Sequence, residues 1–203
     1  MSLLSFPPSL QHHPDDAAPP RPDVVVNTYL ELLGSRDAAL RAHSEAVADT
    51  TLALARELGL PRPGLPRLRH AALLHDVGKL AVPDSVLLKP GPLTADEAEV
   101  IRSHSEWGHR IALHTDMLIE ARWILHHHER PDGDGYPFGL RGDEIPLESR
   151  IILVADAFDA MTAARPYSAA MAPRRALGEI AEAAGTQFDR DCAGALVAVA
   201  ARR

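Results

Sequence analysis

The sequence predicts an all-α domain, and its composition and apolar spacing are the grounds for that prediction. Aromatic residues make up only 4% of a chain that is 46% hydrophobic, so the core must consist mainly of Leu, Ala, Val and Ile. Apolar residues recur at helical spacing, and no alternating strand pattern persists. At 203 residues, the chain fits one domain with a tail: residues 1–22 form a flexible Pro-rich tail and residues 23–203 form the domain.

The helices follow one another with short loops between them. They are predicted over residues 24–34, 37–59, 67–77, 94–114, 116–130, 147–164, 173–184 and 189–201. Gly34, Gly59 and Gly78 end the first three. Thr94, followed three residues later by Glu97, is a capping box that opens the fourth. Segments 61–66, 82–93 and 131–146 are rich in Gly or Pro and are predicted as loops, with short helix possible in the second.

Net charge indicates the kind of partner, and the cysteine content and apolar stretches indicate the cellular compartment. A net charge of −7 argues against a nucleic-acid polymer or a membrane surface as the main partner. The single cysteine, Cys192, excludes an intrachain disulfide and fits a reducing compartment. No stretch approaches the roughly 18 to 20 apolar residues of a membrane span, and no secretory signal is visible. We therefore expect a cytoplasmic protein.

Polar side chains interrupt the apolar faces of five predicted helices. They are His43, His75, His104, His127 and Asp156. Burying such a group is costly unless it is paired or ligated, and any one of them alone is more simply read as a satisfied core or surface residue. Together they indicate a metal centre, because imidazole and carboxylate groups suit Zn, Mn and Fe ions.

The adjacent pair His75-Asp76 favours more than one ion. Neighbouring residues on a helix point about 100° apart, so the two side chains cannot approach one ion identically. Asp76 has two oxygens and could bridge two ions while His75 serves one. His127 and His128 could likewise supply two imidazoles to one centre. Two ions about 4 Å apart suit phosphoester hydrolysis, with a bridging hydroxide as the nucleophile.

The order of these motifs resembles a known family. The H…HD…D pattern of the HD phosphohydrolase superfamily is matched by His43, the His75-Asp76 doublet and Asp156. The string from His127 to Pro137, HHERPDGDGYP, resembles the defining loop of its HD-GYP subfamily, which hydrolyses cyclic di-GMP. Further matching stretches are Leu87–Thr94, Glu144–Leu147, Ala155–Thr162, Arg165–Tyr167 and Gly185–Asp189. The resemblance extends from about residue 36 to the C-terminus and implies a single HD-type helical bundle.

The resemblance also implies roles for individual residues. His43, His75, Asp76 and Asp156 would form a first metal site. Asp76 would bridge to a second, formed with His104, His127 and His128. Lys79 would contact phosphate, Arg165 would bind the ligand and Asp37 would lie near the substrate. Asp76 and Lys79 are the predicted catalytic residues. The ions would be two divalent metals, Fe or Mn, with Zn as a further candidate. A GGDEF-type or other regulatory protein could dock on the Gly135-Tyr136-Pro137 loop.

Two departures from the family pattern leave alternatives open. Members with a third ion carry a glutamate four residues before the first histidine, where this chain has Ala39. A methyl group cannot ligate a metal, so we expect a dinuclear centre that converts cyclic di-GMP mainly to linear pGpG. Ser168 stands where a basic residue is usual. The alternatives are an HD-type hydrolase of another cyclic dinucleotide or nucleotide, and a catalytically weak binding or docking module.

Overall fold

The structure, a computed structural model, describes residues 21–163 and 170–202. Most of these residues are helical, and within these two ranges there is no β-strand. Only isolated bridges occur, pairing Asp132 with Arg141 and Ala184 with Phe188. The predicted all-α class is therefore confirmed. The predicted tail lies almost entirely outside the described residues, which begin at residue 21, and the first helix begins at Pro22.

The α-helices are α1 (Pro22–Arg36), α2 (Ala38–Glu57), α3 (Leu65–Leu74), α4 (Asp84–Leu87), α5 (Ala95–Arg102), α6 (His104–His114), α7 (Leu118–Leu125), α8 (Leu147–Thr162), α9 (Pro173–Glu182) and α10 (Arg190–Ala200). Shorter 3-10 helices cover Arg62–Gly64, Val77–Ala81 and Gly142–Glu144. Most helices lie within a few residues of their predicted bounds. In the part of the chain that the structure describes, no helix is both long enough and apolar enough to cross a membrane.

Helix α2 is central to the bundle, because it packs against α1, α3, α8 and α10. Its inward face is fully buried at Val47, Thr51 and Leu54, which recur at the four- and three-residue spacing of one helix face. His43 lies one turn before Val47 on the same face. The hydrophobic core therefore ends where α2 presents its histidine.

The predicted helix 94–114 is wrong as a single element. The chain forms α5 and then α6, with a break at Ser103, whose hydroxyl donates back to the Val100 carbonyl at 2.8 Å. The side-chain bond competes with regular helical pairing at this position. The break makes His104 the first residue of α6. The predicted capping box of Thr94 and Glu97 is confirmed.

The predicted helices 67–77 and 116–130 are both too long. Helix α3 ends at Leu74, so the His75-Asp76 doublet lies in the bend before the 3-10 helix. Helix α7 begins only after Asp116, which has a positive φ of 59°, and ends at Leu125. The pair His127-His128 consequently lies in a turn beyond the helix. In a turn, the two adjacent imidazoles need not diverge by 100° as they would on a helix.

Candidate metal centre

The structure places all seven predicted metal-ligand side chains in one cluster. They come from α2, the bend after α3, the start of α6, the turn after α7, and α8: His43, His75, Asp76, His104, His127, His128 and Asp156. Ring centroids of successive histidines lie 5.0 to 5.3 Å apart from His43 through His75, His127 and His104 to His128. Elements distant in the chain thus converge on one point.

A first group consists of His43, His75 and Asp76, each with a ligand atom within 4.8 Å of the others. Asp156 completes it: its Oδ1 lies 3.1 Å from His43 Nε2 and 4.0 Å from His75 Nε2. Two imidazole nitrogens and two carboxylates therefore face a common point. This donor set suits a divalent metal ion.

A second group consists of His104, His127 and His128, again with ligand atoms within 4.8 Å of one another. Asp76 adjoins it, with Oδ1 at 3.4 Å from His104 Nε2. The other oxygen of the same carboxylate, Oδ2, lies 3.4 Å from His75 Nε2 in the first group. One carboxylate therefore has one oxygen directed at each group of histidines.

Hydrogen bonds orient three of the rings. His75, His104 and His127 each donate Nδ1–H to the backbone carbonyl three residues earlier, at 2.7, 2.7 and 2.6 Å. Each Nε2 lone pair therefore points into the cluster. The buried Nε2 of His75 has no hydrogen-bond partner among the described residues. The Nε2 atoms of His104 and His127 face each other at 3.3 Å, where two lone pairs repel unless a cation or proton lies between them. The arrangement fits metal ligands.

Burial disfavours charge on the imidazoles of the second group. It lowers the pKa of His128 to about 3, and the pKa of His127 falls well below its usual value for the same reason, with a further contribution from the neighbouring His128. His104 also has a lowered pKa because it is buried. Neutral imidazoles are the form that binds a metal. The second group is therefore ready to bind metal near neutral pH.

The first group has the opposite electrostatics. Burial alone would lower the pKa of His43, but its bonds to Asp156 and Asp159 raise it to about 9. Burial would raise the pKa of Asp76, yet Lys79 and the surrounding histidines hold it well below its usual value. Asp156 likewise has a lowered pKa: burial opposes ionisation, but the His43 contact outweighs it. The carboxylates are ionised, so they can hold cations.

Asp159 contacts the cluster, although the sequence interpretation gave it no role. Its Oδ2 accepts the Nδ1–H of His43 at 2.6 Å, which turns His43 Nε2 towards Asp156. Carboxylates that hold a ligating imidazole in this way fix its tautomer and orientation. The signal was present in the sequence: Asp159 lies three residues after Asp156, on the same face of a helix.

Lys79 is held against the shared carboxylate. Its Nζ lies 2.5 Å from Asp76 Oδ2. Its backbone is held by Arg36 at the end of α1, which donates to the Lys79 carbonyl at 2.6 Å, to the Val82 carbonyl, and through Nε to Asp84 at 2.7 Å. Sequence reasoning gave Arg36 no role, because the two segments are 43 residues apart.

The loop between α7 and α8 is folded against the cluster. Glu129 is fully buried and accepts the backbone N–H groups of Phe138 and Leu140 at 2.7 and 2.9 Å. Tyr136 stacks on His128 with ring centroids 4.7 Å apart. The Gly135-Tyr136-Pro137 motif therefore borders the cluster, while Phe138 beside it is 62% exposed.

The remaining predicted ligand-binding residues are Asp37 and Arg165. Asp37 is the N-cap of α2, where its side chain accepts the Ala39 N–H at 2.9 Å. The structure thus gives it a capping role, and its substrate role stays a prediction. Arg165 lies outside the described residues, as does Ser168.

Comparison with known proteins agrees with this architecture. The family model for the HD domain matches residues 27–192, and the chain therefore belongs to the HD domain family. The cluster and the helical bundle are what the resemblance to HD phosphohydrolases predicted, and the predicted family is confirmed. Family and donor set together support divalent metal binding.

Among characterised relatives, the cyclic di-GMP phosphodiesterase response regulator RpfG of Xanthomonas campestris is 43% identical over 165 residues, covering 80% of this chain and 44% of RpfG. The 3'3'-cGAMP-specific phosphodiesterase 3 of Vibrio cholerae is 38% identical over 195 residues, covering 96% of this chain and 42% of that enzyme. The chain thus spans less than half the length of these relatives. A crystal structure of a cyclic GMP-AMP-specific phosphodiesterase of V. cholerae (V-cGAP3) superposes with a TM-score of 0.67 at 21% identity, over 88% of this chain and 47% of that one, and shows the shared fold.

Proposed function

We propose that this chain is a metal-dependent phosphodiesterase that hydrolyses cyclic di-GMP, mainly to linear pGpG, at a dinuclear centre. The observation that carries the proposal is the position of Asp76. One of its oxygens lies 3.4 Å from His75 and the other 3.4 Å from His104, so a single carboxylate can bridge two ions held by separate sets of histidines. The relative RpfG, named as a cyclic di-GMP phosphodiesterase, supports the choice of substrate.

When bound, the two ions would supply an activated water and neutralise charge on the phosphodiester, which is how two-metal sites promote in-line displacement. The protein's own groups set up that chemistry. One ion would be held by His43, His75, Asp76 and Asp156, and the other by Asp76, His104, His127 and His128. Asp159 fixes the tautomer of His43 so that its Nε2 lone pair faces the site.

Lys79 is proposed to bind the phosphate. Its side chain is 21% exposed and ends beside Asp76, so its ammonium group can be reached from solvent while touching the shared carboxylate. A carboxylate oxygen has two lone pairs, so this contact is compatible with a metal bond on the same oxygen. Arg165 and Asp37 are proposed as further substrate contacts.

The proposed product and the proposed metals are inferred from the metal-ligand side chains. Ala39 lies one turn before His43 on α2 and offers no ligand atom for a third ion, which supports a dinuclear centre and linear pGpG as the main product. A histidine-rich site with a bridging carboxylate suits Fe or Mn, with Zn as a further candidate. We also propose a cytoplasmic location and a GGDEF-type or other protein partner at the Gly135-Tyr136-Pro137 loop, where Phe138 offers an exposed ring.

A second candidate substrate is 3'3'-cGAMP. It is favoured by the V. cholerae relative named as specific for that dinucleotide, which aligns over 96% of this chain. A binding or docking module without turnover is a third reading. The seven clustered donors argue against it, because docking alone needs no such set.

The test is a chromatographic product assay. Protein reconstituted separately with Fe and Mn is incubated with cyclic di-GMP and, in parallel, with 3'3'-cGAMP. The Asp76→Asn variant removes the bridging charge with little change in volume. Asp143→Asn is the matched control, because the Asp143 side chain is 99% exposed and its one ion pair among the described residues is with Arg150.

Linear pGpG formed by the wild type and by Asp143→Asn, but not by Asp76→Asn, supports the proposal. Faster cleavage of 3'3'-cGAMP moves the assignment to the second substrate. Rapid conversion to GMP contradicts the inference from Ala39. Tight binding of cyclic di-GMP without product from either metal form supports the docking reading instead.

A further inference from the structure

A cavity of about 700 Å³ lies on the part of the bundle where α1, the C-terminal part of α2 and the start of α3 meet. Its lining includes three arginines, Arg56, Arg62 and Arg69. Small-molecule sites commonly have volumes of about 300 to 1,000 Å³. The cavity is therefore large enough for a ligand, and the metal centre makes no use of it.

The three arginines are a local excess of positive charge in an acidic protein. None of them forms an ion pair with a carboxylate of residues 21–163 or 170–202. One carboxylate, Asp23, also lines the cavity and lies 2.9 Å from His70, another lining residue, while Glu57 beside Arg56 pairs with Arg202. Three guanidinium groups beside one carboxylate leave an excess of positive charge, which a bound anion would offset. Arginine forks also match phosphate geometry.

The same cavity has an apolar wall. Leu52 from α2, Leu60 from the following turn, and Leu65 with Pro66 at the start of α3 line it beside the arginines. An inorganic anion would leave this wall in water. A ligand with both a flat or apolar body and several negative charges would use the two parts of the cavity together.

We infer that this cavity is a second ligand site, which binds a small phosphorylated molecule with an apolar portion, of the nucleoside polyphosphate class. Its phosphates lie against Arg56, Arg62 and Arg69, and its base packs on the leucines. The site is separate from the metal centre, because none of the residues that line the cavity is one of the seven metal-ligand candidates. The inference does not depend on the phosphodiesterase activity proposed above.

The test is calorimetric titration of the metal-loaded chain of 203 residues with three probes: GTP, pyrophosphate and guanosine. GTP also has affinity for metal ions, so the titration is repeated with Asp76→Asn, which impairs the metal centre and leaves the cavity unchanged. The arginines are exposed, so the double variant Arg62→Gln/Arg69→Gln is not expected to disturb the fold. Arg67→Gln is the matched control, because Arg67 is an exposed arginine of the same helix start that does not line the cavity.

We expect GTP to bind both the wild type and Asp76→Asn. The double variant should bind it at least about tenfold more weakly, since each lost charge-assisted contact costs that much. Arg67→Gln should bind GTP as the wild type does, and phosphodiesterase turnover should be unchanged in both arginine variants. Pyrophosphate and guanosine should each bind more weakly than GTP.

Several results would overturn the inference. Loss of GTP binding in Asp76→Asn would place the nucleotide at the metal centre instead. Equal weakening in Arg67→Gln and in the double variant would show general attraction to a basic surface. Pyrophosphate binding as tightly as GTP would remove any role for the apolar wall, and no binding of any probe at millimolar concentration would remove the site altogether.

Discussion

Gly78 is the position at which one added methyl group should do the most damage to the metal centre. A Cβ on Gly78 would lie 1.9 Å from the His104 carbonyl oxygen and 2.5 Å from the Gly108 nitrogen. Both are backbone atoms of α6, so no flexible side chain can move aside. An ordinary contact needs 3.4 Å or more, and the 3-10 helix and α6 must therefore separate by about 1.5 Å.

The expected cost of Gly78→Ala has two parts. Overpacking of a close backbone contact lowers the free energy of unfolding by about 3 kcal/mol or more. The same separation moves His104 away from Asp76, which lies on the other side of this contact at 3.4 Å. A ligand displaced by about 1 Å no longer meets the geometry that a metal requires, so the second ion should bind at least about tenfold more weakly.

The assay is chemical denaturation together with metal titration of Gly78→Ala. Gly194→Ala is the matched control, because Gly194 is an exposed glycine within α10 with no atom within 4 Å of an added Cβ. Alanine there should stabilise the protein by up to about 1 kcal/mol through helix propensity. Unchanged stability and metal affinity in Gly78→Ala would refute the reasoning from the close contact.

Three further predictions concern the surroundings of the cluster. Asp159→Asn removes the carboxylate that accepts from His43 at 2.6 Å and should weaken metal binding about 10- to 100-fold. Competition with a chromophoric chelator would measure the metal affinity, and an unchanged affinity would contradict the orienting role of Asp159. Glu129→Gln leaves one of two loop N–H groups without its acceptor and should lower the free energy of unfolding by about 2 kcal/mol. Chemical denaturation would measure this loss, with Glu99→Gln at an exposed position as the control. Equal losses in the two variants would contradict the prediction. In metal-free protein, the raised pKa of His43, about 9, gives stability that is fully present below its usual 6.5 and is lost as pH rises towards and through 9. Denaturation from pH 6 to 10 should show this loss in the wild type and a smaller one in His43→Gln; parallel curves would contradict it.

Much of the fold could be predicted from local pattern. The helix start after Thr94 and the helix end before Gly59 follow from capping and from residues that halt a helix, all of which act over a few neighbours. The predicted helix bounds were wrong where a local side-chain bond or a left-handed backbone conformation interrupts the helix. Ser103 bonds back to Val100 and splits one predicted helix, and Asp116 takes a left-handed conformation that delays another.

The metal-ligand candidates could be predicted because imidazoles and carboxylates on apolar faces are conspicuous in any sequence. Their partners were less visible. Asp159 resembles any polar residue late on a helix until the fold sets it 2.6 Å from His43, which is 116 positions away in the chain. Arg36 and Glu129 likewise acquire their roles only through contacts with backbone groups elsewhere, and a backbone group carries no signature in the sequence.

By itself, therefore, the sequence determined the helical class, the family and the identity of the clustered donors, since these depend on residue type and spacing. The tertiary structure alone decided that the two oxygens of Asp76 face different histidines, that α6 approaches Gly78 too closely for any side chain, and that three arginines surround one cavity. These are relations between segments far apart in the chain. Packing of the helices sets such distances, and no local pattern encodes them.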